Sequence, residues 1–292
     1  MEEAVDSVER VVECAELMRV GSLNGPTLIN ARSEQRPDLG LGALPFLESI
    51  DPLRARLFRS NSAEHLWAPA VDRFGSPASK IRWDLIDAWL LDGGTLVLEE
   101  IGTALRGTQW FVDAVGRGAA EAVWVNLFIT RGEDGIHAHW DDNDVTVWQL
   151  AGERRWSFWE PDPKWPVAVM ADNRPPMTAP DVEFEVEPGD VLAVPRGWIH
   201  GANLGDGPSA HLMCAFRVPT VWSMLHQLLD RYAVVSDRGR RNVMLDRAHE
   251  DVQNCLSELA AFAGPRIVAE AFESTRRQPR ALEADVVRGI SS

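Results

Sequence analysis

The sequence predicts a mainly β core, an antiparallel barrel or sandwich, with helical segments before and after it. Short apolar runs separated by turn residues follow one another through the middle of the chain. Toward both ends the apolar residues recur at helical spacing instead. Because closely spaced short strands are typical of barrels and sandwiches, we expect three parts. These are a helical and mixed segment at 1–90 that packs on the core, a β core at 91–218, and a helical segment at 219–292.

Each predicted element follows from the period of its apolar residues, which is about 3.6 in a helix and two in a strand. Helices are expected at 1–20, at about 81–91 before the Gly93-Gly94 pair, at 107–118 and at 265–280. Strands are expected at 95–100, 121–130, 144–151, 153–161, 209–218 and within 182–195. After Pro219 the residues Val221, Trp222, Leu225, Leu228 and Leu229 recur at helical spacing. This helical segment either packs within the chain or forms a homodimer interface.

The composition limits the classes of partner. The formal net charge of −15 disfavours nucleic acid, because phosphate binding requires a basic surface. An acidic chain suits a basic protein or peptide partner, although the charge also serves plain solubility. No stretch is long and apolar enough for a signal peptide or a membrane span. The three cysteines form no CxxC pair, which argues against a disulfide framework and a cysteine zinc site and favours a cytoplasmic protein.

One constellation indicates a metal site. The stretch "GIHAHWDDNDVTVWQL" contains His139 and Asp141, which would point to the same side of an extended chain. His200 follows 59 positions after Asp141, in "EPGDVLAVPRGWIHGA", just beyond a second predicted strand. Two histidines and one carboxylate form the facial triad of non-haem Fe(II) oxygenases, which leaves coordination sites open for co-substrate and oxygen.

These motifs carry a family resemblance. The stretches "VNLFITRGEDGIHAHWDDNDVTVWQLAGERRW", "EPGDVLAVPRGWIHGA" and "SAHLMCAF" resemble the JmjC-type Fe(II)/2-oxoglutarate-dependent oxygenases, in particular their cupin-like ribosomal-oxygenase branch. The resemblance covers about residues 92–217. It implies a double-stranded β-helix (jelly-roll) core and a dioxygenase that hydroxylates a side chain of a protein or peptide. It also implies Fe(II) bound by His139, Asp141 and His200, with 2-oxoglutarate as the second cofactor.

The resemblance further implies a co-substrate site. Arg154 falls where the family keeps a basic residue that faces the distal carboxylate of 2-oxoglutarate, and a guanidinium can bind a carboxylate bidentately. Ser209 matches a serine that helps to hold this carboxylate, and Asn126 matches an asparagine near the co-substrate. The chain departs from the family at Phe128, where the family has a tyrosine, so a hydroxyl contact to 2-oxoglutarate is missing or supplied elsewhere.

Two alternatives to this metal site and function stay open. His137 could replace Asp141 in an H-x-H site like that of metal-binding cupins, but Asn143 and Asp144 stand where such sites usually have a glutamate. The function could instead be that of a small-molecule hydroxylase in a biosynthetic pathway, or of a catalytically silent cupin-fold binding protein. His211 is expected to be a packed core histidine. The candidate substrate contacts are His137, Trp140, Trp198 and Arg196.

Overall fold

The computed structural model describes most of the chain. The described residues are 2–30, 55–59, 62–67, 83–104, 109–119, 123–131, 138–167, 178–204, 207–240 and 248–277. The chain divides after Arg217: the residues up to that point form a first compact unit, and a second unit begins at Val218.

The first unit contains four described helices and eleven described strands. The helices are α1 (Glu2–Arg19), α2 (Trp83–Leu91), α3 (Ile101–Ala104) and α4 (Gln109–Ala119). The strands are β1 (Thr27–Ile29), β2 (Ala55–Arg59), β3 (Ser62–Trp67), β4 (Thr95–Leu98), β5 (Val123–Thr130), β6 (Asn143–Ala151), β7 (Arg154–Trp159), β8 (Val182–Val186), β9 (Val191–Val194), β10 (Ile199–Leu204) and β11 (Ser209–Arg217).

Two antiparallel sheets form the core. The large sheet has the order β1-β9-β6-β11-β5-β4-β2-β3, and the small sheet has the order β10-β7-β8. After β6 the chain crosses to the small sheet for β7 and β8, returns for β9, crosses again for β10 and returns for β11. Strands that alternate in this way between two facing sheets make a jelly roll, or double-stranded β-helix. The predicted fold class, a mainly β cupin-like core with helices before and after it, is confirmed.

The alternation of side chains along the strands divides the apolar residues into two clusters. On β6, Val145 and Val147 face the small sheet and join an inner cluster, whereas Trp148 faces the other way and joins an outer one. The outer cluster packs the large sheet against α1, α2 and α4. The members of the inner cluster are Trp124, Val145, Val147, Trp156, Phe158, Val186, Leu192, Val194 and Ala215. The inner cluster fills part of the space between the sheets, so the remaining space is what a ligand can use.

Four strands were not expected from the sequence. In the segment 1–90, β1 pairs with β9 and β2 pairs with β4, so these strands extend the large sheet at both of its edges. β1 has only three residues, and β2 and β3 carry charged residues that obscure the alternation. β10 has the sequence "IHGANL", which has low β propensity, yet all six of its residues pair with β7.

The second unit is helical in its described part. It comprises α5 (Val221–Val235), a 3₁₀ turn at Arg238–Arg240, α6 (Ala248–Phe262) and α7 (Pro265–Arg277). α5 begins with a capping box in which the Thr220 hydroxyl accepts from the backbone N–H of Ser223 and the Ser223 hydroxyl accepts from that of Thr220. α5 and α6 are joined by the Tyr232 hydroxyl, which donates to Glu258 over 2.6 Å. Among the described helices of the whole chain, none has the length and apolar character needed to cross a bilayer.

Candidate metal and co-substrate site

Three potential metal ligands converge where the two sheets meet. His139, Asp141 and His200 each offer one ligand atom, and these atoms lie within 4.8 Å of one another. The two imidazole centroids are 4.6 Å apart, and Nε2 of His200 lies 3.5 Å from Oδ2 of Asp141. Three side chains in this arrangement can coordinate a single divalent cation on one face.

Backbone hydrogen bonds fix this cluster. His139 and His200 form an isolated antiparallel bridge, in which each backbone N–H donates to the other residue's carbonyl over 3.0 and 2.8 Å. The N–H of Gly197 donates to the carbonyl of Asp141 over 3.0 Å. Gly197 has a φ of +87°, which favours glycine, and a Cβ there would lie 2.7 Å from Pro166. His139 and Asp141 therefore lie in an extended segment just before β6, and the turn that precedes β10 holds them in place.

The protonation of the cluster suits a metal. Nδ1 of His200 lies 3.0 Å from the carbonyl of Trp198, so the ring proton belongs on Nδ1 and the Nε2 lone pair is free for coordination. Burial, followed by the neighbouring His139, lowers the pKa of His200 to about 4, although Asp141 opposes the shift. His200 is thus neutral at pH 7, as a ligand must be. Oδ2 of Asp141 is buried without a hydrogen-bond partner among the described residues, and a bound cation would offset the cost of that burial.

Arg196, a predicted candidate for a substrate contact, is engaged by the protein beside the cluster. Its Nη1 donates to Asp142 over 2.9 Å and to the carbonyl of Pro166 over 2.6 Å. Its backbone N–H donates to Asp144 over 2.8 Å. Burial raises the pKa of Asp144, and this backbone hydrogen bond counteracts the rise. Arg196 therefore ties the turn before β10 to the segment that carries Asp141, and a contact of Arg196 with substrate stays a prediction.

A cavity between the sheets connects the cluster to an unpaired cation. His139 and His200 line it, and so does Arg154, the first residue of β7. The side chain of Arg154 is buried, and its Nε and Nη1 have no hydrogen-bond partner among the described residues. Burial lowers the pKa of Arg154, but a guanidinium keeps its proton in proteins. An unpaired buried cation is costly, so this arrangement favours an anionic ligand beside Arg154.

The same cavity adds to the expectation for His211. The imidazole is buried and packed, as expected, and it also lines the cavity together with Phe128 and Trp156. The reason lies in the register: His211 on β11 is opposite Phe128 on β5, and both side chains face the small sheet. The indole Nε1 of Trp156 is buried and has no hydrogen-bond partner among the described residues.

Asn126 and Ser209 are buried but are not among the described residues that line the cavity. Oδ1 of Asn126 accepts from the backbone N–H of Glu100 over 2.9 Å. Oγ of Ser209 accepts from Nε2 of Gln149 over 2.8 Å. Contacts of Asn126 and Ser209 with the co-substrate therefore stay predictions.

Gln149 is a residue whose importance the sequence analysis missed. Besides Ser209, its Nε2 binds the carbonyls of Ala151 and Gly152 over 2.9 and 2.8 Å, and so holds the turn that leads into Arg154. Gly152 has a φ of +66°, and a Cβ there would lie 2.1 Å from the carbonyl oxygen of Pro208. A glutamine in the middle of the apolar strand "DVTVWQLA" was the signal that could have revealed it, because a buried amide needs partners.

The remaining candidate substrate contacts have different surroundings. Trp140 is half-buried beside the cluster. Trp198 is also half-buried; its ring packs against the inner cluster and lies close to Gly25. His137 lies outside the described residues, so the H-x-H alternative is untested by the geometry.

Residues 106–224 match the family model of the JmjC domain. This segment is a JmjC domain. It contains the metal cluster, Arg154, Ser209 and Asn126. The domain type and the donor set together identify Fe(II) and 2-oxoglutarate as the cofactors that fit the site.

Curated relatives include the ribosomal oxygenases. The chain is 33% identical over 172 residues to ribosomal oxygenase 2 of Bos taurus, a match that covers 53% of this chain and 35% of the relative. It is 29% identical over 111 residues to the bifunctional lysine-specific demethylase and histidyl-hydroxylase NO66 of Drosophila persimilis, covering 37% and 16% of the two chains. These matches span about a third or less of each relative's length.

Among solved structures, the fold is similar to that of YcfD, described as a ribosomal oxygenase from Escherichia coli in complex with cobalt and 2-oxoglutarate. The TM-score is 0.53 at 15% identity, over 87% of this chain and 68% of YcfD. At this identity the likeness establishes the shared fold.

Proposed function

We propose that this protein is an Fe(II)- and 2-oxoglutarate-dependent oxygenase that hydroxylates a side chain of a protein or peptide. The observation that carries the proposal is one cavity that joins a His-Asp-His cluster to the buried Arg154, whose Nε and Nη1 have no partner among the residues that the structure describes. A metal-binding protein without turnover would need the cluster but would have no reason to bury an unpaired guanidinium next to it.

In this proposal, different residues of the chain bind the metal and the co-substrate. His139, Asp141 and His200 would hold Fe(II) on one face, which leaves the opposite face open to the cavity. Arg154 would bind the distal carboxylate of 2-oxoglutarate and so orient its keto-acid end toward the metal. The bound cofactors would supply the oxidising chemistry, in which 2-oxoglutarate, oxygen and a C–H group of the substrate side chain are converted to succinate, carbon dioxide and the hydroxylated side chain. The inner cluster limits the access of water to this space.

A polypeptide is the substrate that we propose. The names of the relatives, ribosomal oxygenase and histidyl-hydroxylase, support a protein side chain as the acceptor. The net charge of −15 favours encounter with a basic partner through long-range attraction, which salt would weaken. The free cysteines of the described residues also fit our proposal of a cytoplasmic location.

The test offers the Fe(II)-loaded protein a panel of basic and acidic peptides and measures succinate release and mass gain of the peptide. We expect a gain of one oxygen on a basic peptide, and none with Asp141→Ala. In parallel, proteomes and metabolites of cells with and without the gene are compared. If only a small metabolite gains oxygen, the protein is a small-molecule hydroxylase, and if nothing does, it is a binding protein.

We also propose that the segment 219–292 is a separate domain that mediates a homodimer. On α5, Val221, Leu225 and Leu229 follow one another at intervals of four residues and are 79%, 46% and 44% exposed. Residues four apart lie on the same face of a helix, so these three form an apolar stripe. Light scattering should give about twice the chain mass of 32.4 kDa. Leu225→Glu should give the single-chain mass, and a wild-type chain that is already monomeric would rule the dimer out.

A further inference from the structure

His211 is held rigidly in the cavity by aromatic neighbours. Its imidazole lies parallel to the ring of Phe128, with 4.9 Å between centroids and 6° between planes. Trp156 meets it edge-on, with 5.5 Å between centroids at 75°. Packed between two strands in this way, the imidazole has one orientation and can present a ring nitrogen to the cavity at little entropic cost.

The imidazole of His211 is a neutral polar group without a hydrogen-bond partner in the described part of the chain. Burial, together with the nearby charge of Arg154, lowers the pKa of His211 to about 3. A neutral imidazole carries one N–H donor. His211 is 8% exposed, and neither of its ring nitrogens forms a hydrogen bond within the described ranges of the chain. The cavity lining includes this imidazole, so a ligand that accepts a hydrogen bond here would gain a contact that no described protein group provides.

The other unpaired groups nearby are also donors. Nε and Nη1 of Arg154 and Nε1 of Trp156 all carry protons and lack partners within those ranges. Because donors line this part of the cavity, its ligand group is an acceptor, and the guanidinium makes an anion the best fit. A carboxylate has four lone-pair sites, enough to accept from Arg154 and from a second donor.

We propose that His211 is a co-substrate-binding residue, whose imidazole N–H donates to the distal carboxylate of 2-oxoglutarate beside Arg154. This inference rests on the proposed function. Phe128 keeps the imidazole in place by stacking. A neutral second donor suits a single carboxylate, since Arg154 already balances its charge.

The test measures binding by calorimetry on the full chain loaded with Mn(II), so it requires no turnover. The ligands are 2-oxoglutarate and 2-oxobutanoate, which has the same keto-acid end but lacks the distal carboxylate. His211→Leu should weaken 2-oxoglutarate binding by about 10- to 100-fold, the loss expected for a hydrogen bond to a charged group. Binding of 2-oxobutanoate should stay unchanged. The matched control is His226→Leu, which alters an exposed histidine on α5 and should bind both ligands as the wild type does.

Each pattern of binding losses either supports or overturns the proposed role of His211. Equal losses for both ligands would show that His211 shapes the cavity or the metal site, and no loss would show that it makes no contact, so either result overturns the inference. A wild-type chain that binds neither ligand would instead overturn the proposed function, and the role of His211 with it. His211→Asn, which keeps an N–H donor, should retain more of the 2-oxoglutarate affinity than His211→Leu.

A measurement on the unmodified sequence covers the case in which the variants do not fold. The chain is labelled with ¹⁵N at its histidines and loaded with Zn(II). The N–H signal of His211 should become protected from exchange with solvent when 2-oxoglutarate is added, and not when 2-oxobutanoate is added. A signal that responds equally to both ligands would overturn the inference.

Discussion

The two ends of the cavity differ in the polar groups that they present: acceptors at one end and donors at the other. At the metal end, the backbone makes reciprocal hydrogen bonds, and the side chains of His139, Asp141 and His200 present lone pairs. At the co-substrate end, Arg154 and Trp156 present protons that have no partner within the described residues. A cation satisfies the first set and an anion the second. A keto acid with a distant carboxylate fits both ends of the cavity. Its keto-acid end would chelate a bound metal, and its carboxylate would accept hydrogen bonds from the donors at the other end.

The largest effect should come from removing a metal ligand. Asp141→Ala, His139→Ala or His200→Ala should each abolish Fe(II) binding and turnover, because two ligands hold a divalent cation far more weakly than three. Metal content after dialysis and succinate release are the measurements. His137→Ala is the control and should leave metal binding nearly intact. If His137→Ala loses the metal and Asp141→Ala keeps it, the cluster is an H-x-H cupin site and the oxygenase proposal fails.

Removing the guanidinium of Arg154 should weaken 2-oxoglutarate binding without affecting metal binding. Arg154→Ala should weaken 2-oxoglutarate binding by on the order of 2–5 kcal/mol, the usual loss when one partner of a buried charge pair is removed. Metal content should not change. Arg155→Ala is the matched control. Arg155 is the next residue in the chain, and its guanidinium is exposed and pairs with Glu185 on the surface. Unchanged 2-oxoglutarate affinity in Arg154→Ala would mean that another residue binds the distal carboxylate.

A smaller effect is expected on removal of Gln149, whose side chain holds the turn that leads into Arg154. Gln149→Met deletes three hydrogen bonds, to Ser209, Ala151 and Gly152, and should lower the free energy of unfolding by about 1–3 kcal/mol. Urea denaturation measures the change, and 2-oxoglutarate affinity should fall with it. Gln109→Met is the control, because this glutamine is exposed on α4 and its side chain donates to Asp113 on the same helix. Equal stability of Gln149→Met and wild type would show that Gln149 does not hold this turn.

The smallest expected effect is the change in the free energy of unfolding with pH that His211 causes. The pKa of His211 is about 3 when folded and near its ordinary 6.5 when unfolded, so between these values the unfolded chain binds an extra proton. Its contribution to stability is complete above pH 6.5 and declines as the pH falls toward 3. Urea denaturation at pH 5.5 and 7.5 should therefore show a smaller loss on acidification for His211→Asn than for wild type. Identical losses would mean that His211 is already protonated in the folded chain.

The sequence predicted the convergence of His139, Asp141 and His200 better than the surroundings of Arg154. His139, Asp141 and His200 could be named because a facial triad has a short motif and few alternatives. The strands around them were visible from alternation, as on β6. The role of β10 was not visible, because "IHGANL" pairs for tertiary reasons that local propensity does not reveal.

Orientation explains what the sequence did not reveal around Arg154. A histidine in a strand faces one of two sides, and only the pairing of His211 with Phe128 shows that this side is the cavity. The hydrogen bonds of Gln149 likewise depend on Ser209, which is 60 positions away. Such contacts depend on register, and register is set by the whole sheet.

The bridge between His139 and His200 has a consequence for how the chain reaches its native state. The two histidines are 61 positions apart, and the intervening chain builds β6, β7, β8 and β9. Closing so long a loop is entropically costly, and the two ligands lie side by side only when the roll is closed. A metal that binds only the closed form would slow unfolding and stabilise the native state by mass action. Metal capture would then mark the completion of folding.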